Sequence, residues 1–353
     1  MTFYWLMFAA FALAALTSAP AIPQAVGPNA AYQEVRQRRS LKIIIAGLFL
    51  LVIIGLRYRV GGDWDNYELL LRTSQHQSFS ELLHQRNEPA FAFLSWAAAQ
   101  LDFGIWFVNL FCALPFVWGL AQLSREQPNP WLALVIATPF LIIVVGMGFT
   151  RQAAALGFFM AGLADYLRTG SLIRLVLLTL AGSLFHRTVL VLVPILVVAA
   201  GQSKVVSFAL GVMACAFLYI FVVLNTQQFY DRGYLNGRYE AAGASVRVLM
   251  NFIPAAILLW NRDALYISRR EKVVWKTLAI LSVAAEGAIF VVSSVVVDRL
   301  AMYLIPLQLF VLGRLYLLAS RDPMGRHMVP PRGTLTDGPL HTCRVWKRGD
   351  GYR

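Results

Sequence analysis

Five ionisable residues lie at breaks between apolar runs of the sequence: Asp63, Glu88, Arg151, His186 and Arg299. An arginine at the centre of a membrane helix costs about 2.5 to 3.5 kcal/mol even on the lowest scales, so such residues are usually paired or functional. A guanidinium binds phosphate oxygens through a fixed fork of donors. Imidazole titrates near neutral pH and can accept a proton. These residue types therefore suggest a site that binds an anion and transfers a proton.

The composition indicates a polytopic, all-α membrane protein. Of the 353 residues, 58% are hydrophobic and 14% are charged, and the mean hydropathy is +0.62. Apolar runs of about 17 to 25 residues recur along the chain, as bilayer-spanning helices require. The net charge of +13 comes from basic residues in short loops and a tail. Positive-inside bias and anionic lipid explain that charge better than nucleic acid does, so we expect no nucleic-acid partner.

Basic loops at residues 36–42, 168–174 and 262–272 are expected to lie in the cytoplasm. This orientation predicts about eleven transmembrane helices, with the N-terminus outside and the C-terminus inside. It makes residues 57–88 and 225–245 extracytoplasmic loops. All five ionisable residues at the breaks then share the outer face. Val205 to Leu224 is expected to be one of the crossings, and Asp298 and Arg299 are expected at an outer turn before the last span, Leu300 to Leu318.

Two segments depart from simple crossings. Residues 89–123 are too long for one span and are divided near Gln100 and Gly104, which predicts a short re-entrant or interfacial helix followed by one crossing. The membrane domain is expected to cover residues 1–320. Residues 321–353 lack apolar periodicity and are expected to form a disordered, basic cytoplasmic tail.

The first outer loop contains the run Gly61-Gly62-Asp63-Trp64-Asp65. Paired glycines allow a sharp backbone turn, and carboxylates two residues apart can face a cation or a sugar hydroxyl. A solvated turn in which Asp63 caps a short helix explains the same pattern. Glu88 before Pro89 likewise fits a helix start with an acid near the positive end of the helix dipole, and this geometry would also aim a carboxylate into a cavity.

A second polar segment, residues 230–240, combines tyrosines, arginines and glycines. This composition suits stacking on sugar rings and binding of anions. An aromatic belt at the membrane interface is an equally good explanation of the tyrosines. Cys112, Cys215 and Cys343 have the spacing of neither a disulfide framework nor a zinc site, so no redox chemistry is expected.

The order of the polar motifs resembles a known family. The motifs are Gly62-Asp63 with Tyr67, Glu88-Pro89, Arg151-Gln152-Ala153, Phe185-His186-Arg187-Thr188 and Asp298-Arg299. Between Leu41 and Leu318 they are similar to the EpsG family of Wzy-like exopolysaccharide and O-antigen polymerases. Arg187-Thr188 and the long basic tail depart from the family pattern.

This resemblance implies a glycosyltransferase-type polymerase in the bacterial cytoplasmic membrane. Its activity would be to join oligosaccharide repeat units, each linked to a polyprenyl diphosphate such as undecaprenyl diphosphate, at the outer face. The expected partners are this lipid-linked oligosaccharide, the lipid bilayer, and other polysaccharide-assembly and chain-length proteins. No cofactor is expected.

Glycosyl transfer from a lipid diphosphate needs a cation for the departing diphosphate. We expect Arg151 and Arg299, with the adjacent Gln152, to bind the diphosphate, because arginine stays charged and holds phosphate oxygens in two places. If two arginines carry this charge, no metal is required.

The reaction also needs a base for the acceptor hydroxyl. His186 is the expected base, with Asp63 or Glu88 as the alternative. A histidine that is merely hydrogen-bonded at a helix end is the competing explanation. The residues expected to bind sugars are Asp65, Tyr67, Tyr234 and Arg238.

Two other functions fit parts of the pattern. A glycosyltransferase that uses polyprenyl-phosphate sugars would employ Asp63-Trp64-Asp65 to bind a divalent ion or to act as the base. A transporter or flippase of lipid-linked glycans would carry ionisable residues near the bilayer midplane and show repeat symmetry. The sequence shows no internal repeat, and its polar groups fall at one edge of the predicted spans, which favours the polymerase.

Overall fold

The computed structural model describes residues 1–18, 30–84, 88–199, 243–261, 265, 269–290 and 294–316, and none of these lies in a strand. The helices are α1 (Thr2–Thr17), α2 (Ala30–Gly55), α3 (Trp64–Ser74), α4 (Phe79–His84), α5 (Pro89–Gln100), α6 (Gly104–Arg125), α7 (Pro130–Ala137) with a π-helix (Thr138–Gly146), α8 (Thr150–Thr169), α9 (Leu172–Ser183), a 3-10 helix (Arg187–Val191), α10 (Leu192–Ala199), α11 (Ala244–Trp260), α12 (Arg269–Ala288), α13 (Ser294–Ala301), a 3-10 turn (Met302–Leu304) and α14 (Pro306–Leu312). The predicted all-α class is confirmed for this part of the chain.

Helix α8 lies in the middle of the core, between α6 and α9. It is rich in alanine and glycine, and most of its side chains are buried. A Cβ atom added at Gly157 would collide with the backbone of α6 at Phe116, and one added at Gly182 of α9 would come 2.9 Å from the carbonyl oxygen of Ala155. Small residues therefore let three helix backbones touch, as they do in membrane helix pairs. This packing fixes the first turn of α8, which carries Arg151.

Helix α6, with 22 residues, is the one described helix that is long and apolar enough to cross a bilayer by itself. The segments Ser294–Leu304 and Pro306–Leu312 meet the same criterion if the two arms, bent by 48°, are counted as one span. Shorter apolar helices have 10 to 17 residues and cover Thr2–Thr17, Leu41–Gly55, Pro130–Gly146, Leu172–Ser183, Arg187–Val197 and Ala244–Trp260. The count of eleven crossings stays a prediction.

The division expected within residues 89–123 is confirmed. Helix α5 ends at Gln100 and the full-length α6 begins at Gly104. Asp102, in the connection, has a left-handed backbone with φ 54°, which turns the chain between the two helices. The re-entrant placement of α5 stays a prediction.

The boundary predicted for the last apolar run is wrong. We expected Asp298 and Arg299 at a turn before a span from Leu300 to Leu318, but both residues lie inside α13. The break comes later, in the 3-10 turn before Pro306, whose ring nitrogen cannot donate to the helix. The sequence placed the break at the charged residues, whereas the proline decides it.

Asn251 of α11 supports this break through two hydrogen bonds, one of them to the backbone. The carbonyl oxygen of Ala301 accepts from Nδ2 of Asn251 at 2.8 Å, and Oδ1 of Asn251 accepts from Nε2 of Gln308 at 2.7 Å. Such partners are needed where a helix is interrupted in apolar surroundings. These hydrogen bonds stabilise the break and thereby fix the orientation of α13. The expected span at residues 205–224, most of the loop 225–245 and the tail 321–353 lie outside the described residues.

Candidate active site

Gly61 docks the start of α3 beside the start of α8. Its φ of +108° is one that glycine adopts without strain. A Cβ atom there would come 2.5 Å from the carbonyl oxygen of Met147 and 2.7 Å from the Cα atom of Gly148. The Asp63 motif is thereby held against the connection that leads into Arg151.

Glu88 joins three separate segments of the chain. It is 8% exposed and precedes α5 with a left-handed φ of 53°, a conformation that is rare for non-glycine residues and disfavoured before proline. One carboxylate oxygen accepts from Nη1 of Arg151 at 2.6 Å, and the other contacts Nδ1 of His186. The backbone of Leu184 adds a link, since its carbonyl oxygen accepts from the amide of Ala90 at 3.0 Å. A strained residue that is held this firmly points to a functional role.

The negative charge of Glu88 determines which ring nitrogen of His186 can accept a proton. Burial alone would raise the pKa of Glu88, but the hydrogen bond from His186 and the charges of His186 and Arg151 outweigh burial and hold this pKa below its ordinary value. An ionised carboxylate can only accept, so the shared hydrogen belongs to Nδ1 of His186. In neutral His186 the lone pair then lies on Nε2, which is buried and has no hydrogen-bond partner within the described ranges.

Arg151 is held over aromatic rings and remains partly open. Its guanidinium lies 5.7 Å from the ring centroid of Tyr67 and 5.5 Å from that of Phe91. Its side chain is 36% exposed, compared with 10% for Glu88. Tyr67 itself is 7% exposed. The expected sugar-binding tyrosine is therefore covered in this structure, where it supports Arg151.

Gln152 connects the site to α13. Its Nε2 donates to the backbone carbonyl oxygen of Arg299. This bond brings the backbone at Arg299 beside the first turn of α8. The Arg299 side chain is partly buried and forms no hydrogen bond or ion pair with the part of the chain that the structure describes. Gln152 therefore fixes the position of the Arg299 backbone.

Of the remaining expected site residues, those that the structure describes form no hydrogen bond or ion pair with the cluster of Glu88, Arg151 and His186. Asp63 occupies the N-cap position of α3 without a capping hydrogen bond from its side chain. Asp65, in the first turn of α3, is exposed. Tyr234 and Arg238 lie outside the described residues.

A protein-family model matches most of the chain. The model of the EpsG family matches residues 41–323, which contain every residue of the site. The chain belongs to the EpsG family. The family consists of membrane proteins and suggests an exopolysaccharide-related polymerase. Separate comparisons with curated proteins and with solved structures found no match.

Two contacts of this EpsG family protein were not predicted from its sequence. Asp298 is 5% exposed and accepts two hydrogen bonds from Arg247 of α11, at 2.6 Å and 2.9 Å. The hydroxyl groups of Thr188 and Tyr303 are 3.0 Å apart. Both pairs tie α13 and its 3-10 turn to other helices. Arg247 could have been found, because an arginine within an apolar run predicts a buried acidic partner.

The described residues contain no group of three or more histidine, cysteine, aspartate or glutamate side chains that could hold a metal ion. The site of this EpsG family protein is therefore defined by one histidine, one carboxylate and arginines. Glu88 orients the imidazole and neutralises part of the Arg151 charge. This set can accept a proton at Nε2 of His186 and bind an anion at the open side of Arg151.

Proposed function

We propose that this EpsG family protein is a polysaccharide polymerase that joins polyprenyl-diphosphate-linked oligosaccharide repeat units by glycosyl transfer. The observation that carries the proposal is the Glu88 carboxylate, which contacts Nδ1 of His186 and Nη1 of Arg151. A base and an anion-binding cation are the two groups that this reaction needs. In this protein His186 and Arg151 both contact the buried carboxylate of Glu88.

The reaction forms one glycosidic bond and breaks one sugar–phosphate bond. Nε2 of His186 takes the proton from the acceptor hydroxyl, whose oxygen attacks the anomeric carbon of the donor. The bond from that carbon to the diphosphate breaks, and the diphosphate leaves with the polyprenyl chain. Arg151 and Arg299 stabilise the charge on the departing diphosphate. Glu88 stabilises the imidazolium that His186 becomes, in the way that the aspartate of a catalytic triad does.

The proposal includes the predicted topology. The chain would cross the cytoplasmic membrane of a bacterium about eleven times, with residues 57–88 and 225–245 outside. The basic residues Arg168 and Arg174, at the far end of α8 from Arg151, support this orientation. The exposed Asp65 and the partly exposed Asp63 would bind sugar hydroxyls beside the site. Tyr234 and Arg238 remain candidates for the same task.

The lipid-linked glycans of a deletion strain that carries a His186→Gln variant test the proposal. Glutamine has hydrogen-bonding groups but no basic nitrogen, so we expect full-length protein in the membrane, loss of polymer and accumulation of single lipid-linked repeat units. His76→Gln is the matched control, because His76 is exposed in the same predicted outer region, and it should leave polymer formation normal.

Other outcomes of this experiment would assign another function. Truncated repeat units would indicate a glycosyltransferase that builds the repeat, and complete units retained on the cytoplasmic side would indicate a transporter. Normal polymer in the His186→Gln variant would remove His186 as the base and leave Asp63 or Glu88 for that role.

A further inference from the structure

Arg57 is a buried cation that the site described above does not use. It follows α2 and is 6% exposed. Its Nη1 donates to the carbonyl oxygen of Ile54 and its Nη2 donates to Oγ1 of Thr150, both at 2.6 Å. Its Nε atom is buried and has no hydrogen-bond partner in the described segments. The guanidinium thus contacts the first residue of α8, and its buried Nε–H has no acceptor among the described residues.

Among the residues that the structure describes, no carboxylate compensates the charge of Arg57. Arg57 and Arg151 both interact electrostatically with Tyr67 and Cys112. Within the described ranges, Glu88 is the one carboxylate that pairs with either arginine, and it pairs with Arg151. The partly exposed Asp63 also interacts with Tyr67, but no carboxylate among the described residues interacts with Arg57. Burial lowers the pKa of Arg57 to about 10, so it remains a cation at neutral pH.

An uncompensated buried cation is costly to maintain. The cost is relieved if an anion binds nearby, because the attraction is strong where water is excluded. The first turn of α8 adds to this attraction. Thr150 begins a helix of 20 residues that has no side-chain cap, and the amide groups at such a helix start favour negative charge.

We infer that Arg57 supplies a second positive charge to an anion site at the start of α8, and that the diphosphate of the lipid-linked donor is the anion that occupies it. This inference rests on the proposed function for the identity of the donor. Arg57 acts through its field and through Thr150, so it is a positioning residue, whereas Arg151 contacts the phosphate oxygens. The bound diphosphate provides a counter-charge that the described residues do not supply to Arg57.

Thermal unfolding of the purified protein in detergent tests the inference with sodium pyrophosphate as the probe. Sodium sulfate at the same ionic strength corrects for general salt effects. Pyrophosphate should raise the Tm of the wild type by a few degrees when its concentration is well above its Kd, because it binds the folded state. The Arg57→Gln variant should lose this shift.

Arg59→Gln is the matched control, because Arg59 lies two residues away and is exposed. It should keep the shift. Arg57→Lys retains the charge and should keep at least part of it. A full pyrophosphate shift in Arg57→Gln, or no shift in the wild type, would overturn the inference. A larger Arg57-dependent shift with phosphatidylglycerol than with pyrophosphate would assign the site to a lipid headgroup and would also overturn it.

The stability of the substrate-free protein separates a charge role from a structural role. Removal of an uncompensated buried cation should leave the Tm of Arg57→Gln equal to or above that of the wild type. A purely structural arginine predicts a lower Tm together with an unchanged pyrophosphate shift. The polymer assay is independent of these measurements. Loss of the proposed function with an Arg57-dependent pyrophosphate shift would leave the anion site standing.

Discussion

The two ends of helix α8 each hold a carboxylate that is shared by two basic side chains, but the clusters are built differently. Glu88 lies 63 residues from Arg151 and 98 residues from His186 along the chain. At the other end, Asp165 pairs with Arg168 and Arg174, which are 3 and 9 residues away. The first cluster needs the whole fold to form, whereas the second forms within residues 165–174.

Burial separates the two clusters further. The side chains of Arg168 and Arg174 are 50% and 54% exposed, and a cavity of about 180 Å³ opens beside them. Glu88 and Asp165 are buried to a similar degree, with side chains 10% and 13% exposed. The difference lies in their partners, since the side chain of His186 is 12% exposed and that of Arg151 is 36% exposed. Exposed ion pairs contribute about 0 to 1 kcal/mol, while a buried pair is costly to desolvate. A charge cluster that is both long-range and buried is therefore the better candidate for function.

The largest expected change in polymerisation rate comes from comparing substitutions of Glu88 and Asp165. Glu88→Gln should slow polymerisation by about three to four powers of ten, because His186 loses the group that fixes its basic nitrogen at Nε2. Asp165→Asn should remain near normal, because its partners are half exposed. Polymer formation per amount of membrane-inserted protein is the measurement. Equal losses in both variants would mean that the ends of α8 do not differ in function.

The next effect compares an arginine from each end. Arg151→Lys keeps the charge but loses the fork that holds phosphate in two places, so we expect a rate loss of about two to three powers of ten. Arg168→Lys should be near normal. The same polymerisation assay, normalised to protein abundance, measures both. Matching activities of the two variants would remove Arg151 from the diphosphate site.

A smaller effect concerns the link between His186 and the 3-10 turn. Thr188→Val removes the hydroxyl that lies 3.0 Å from the hydroxyl of Tyr303, and loss of one such bond should lower the rate by about tenfold. Thr179→Val is the control, because the buried Thr179 hydroxyl donates to the carbonyl oxygen of Leu175 within its own helix. A Thr179→Val variant that is as slow as Thr188→Val would show a general packing effect.

Some helix boundaries could be predicted, because polar residues interrupt the apolar runs there. The division between Gln100 and Gly104 and the start of α8 near Arg151 both follow from polar interruptions. The position of Asp298 and Arg299 did not follow from this rule. Asp298 remains inside a helix because Arg247 supplies its counter-charge.

The sequence indicated which residues form the site, but it did not indicate the role of each residue. Glu88, Arg151 and His186 were all singled out, yet the sequence left Glu88 as an alternative base. Its role as the shared partner depends on a contact across 98 residues, which packing of α5 and α8 around the His186 segment creates. Tyr67 was expected to face a sugar, but the turn at Gly61 places it beneath Arg151.

A double-mutant cycle on Glu88 and His186 tests most directly whether the two residues act as one unit. The rates of polymerisation are measured for Glu88→Gln, His186→Gln and the double variant at equal abundance in the membrane. If Glu88 works through His186, the double variant should be no slower than His186→Gln alone, because residues that act as a unit are strongly non-additive. Losses that multiply in the double variant would show that Glu88 and His186 act independently and would contradict the proposed site.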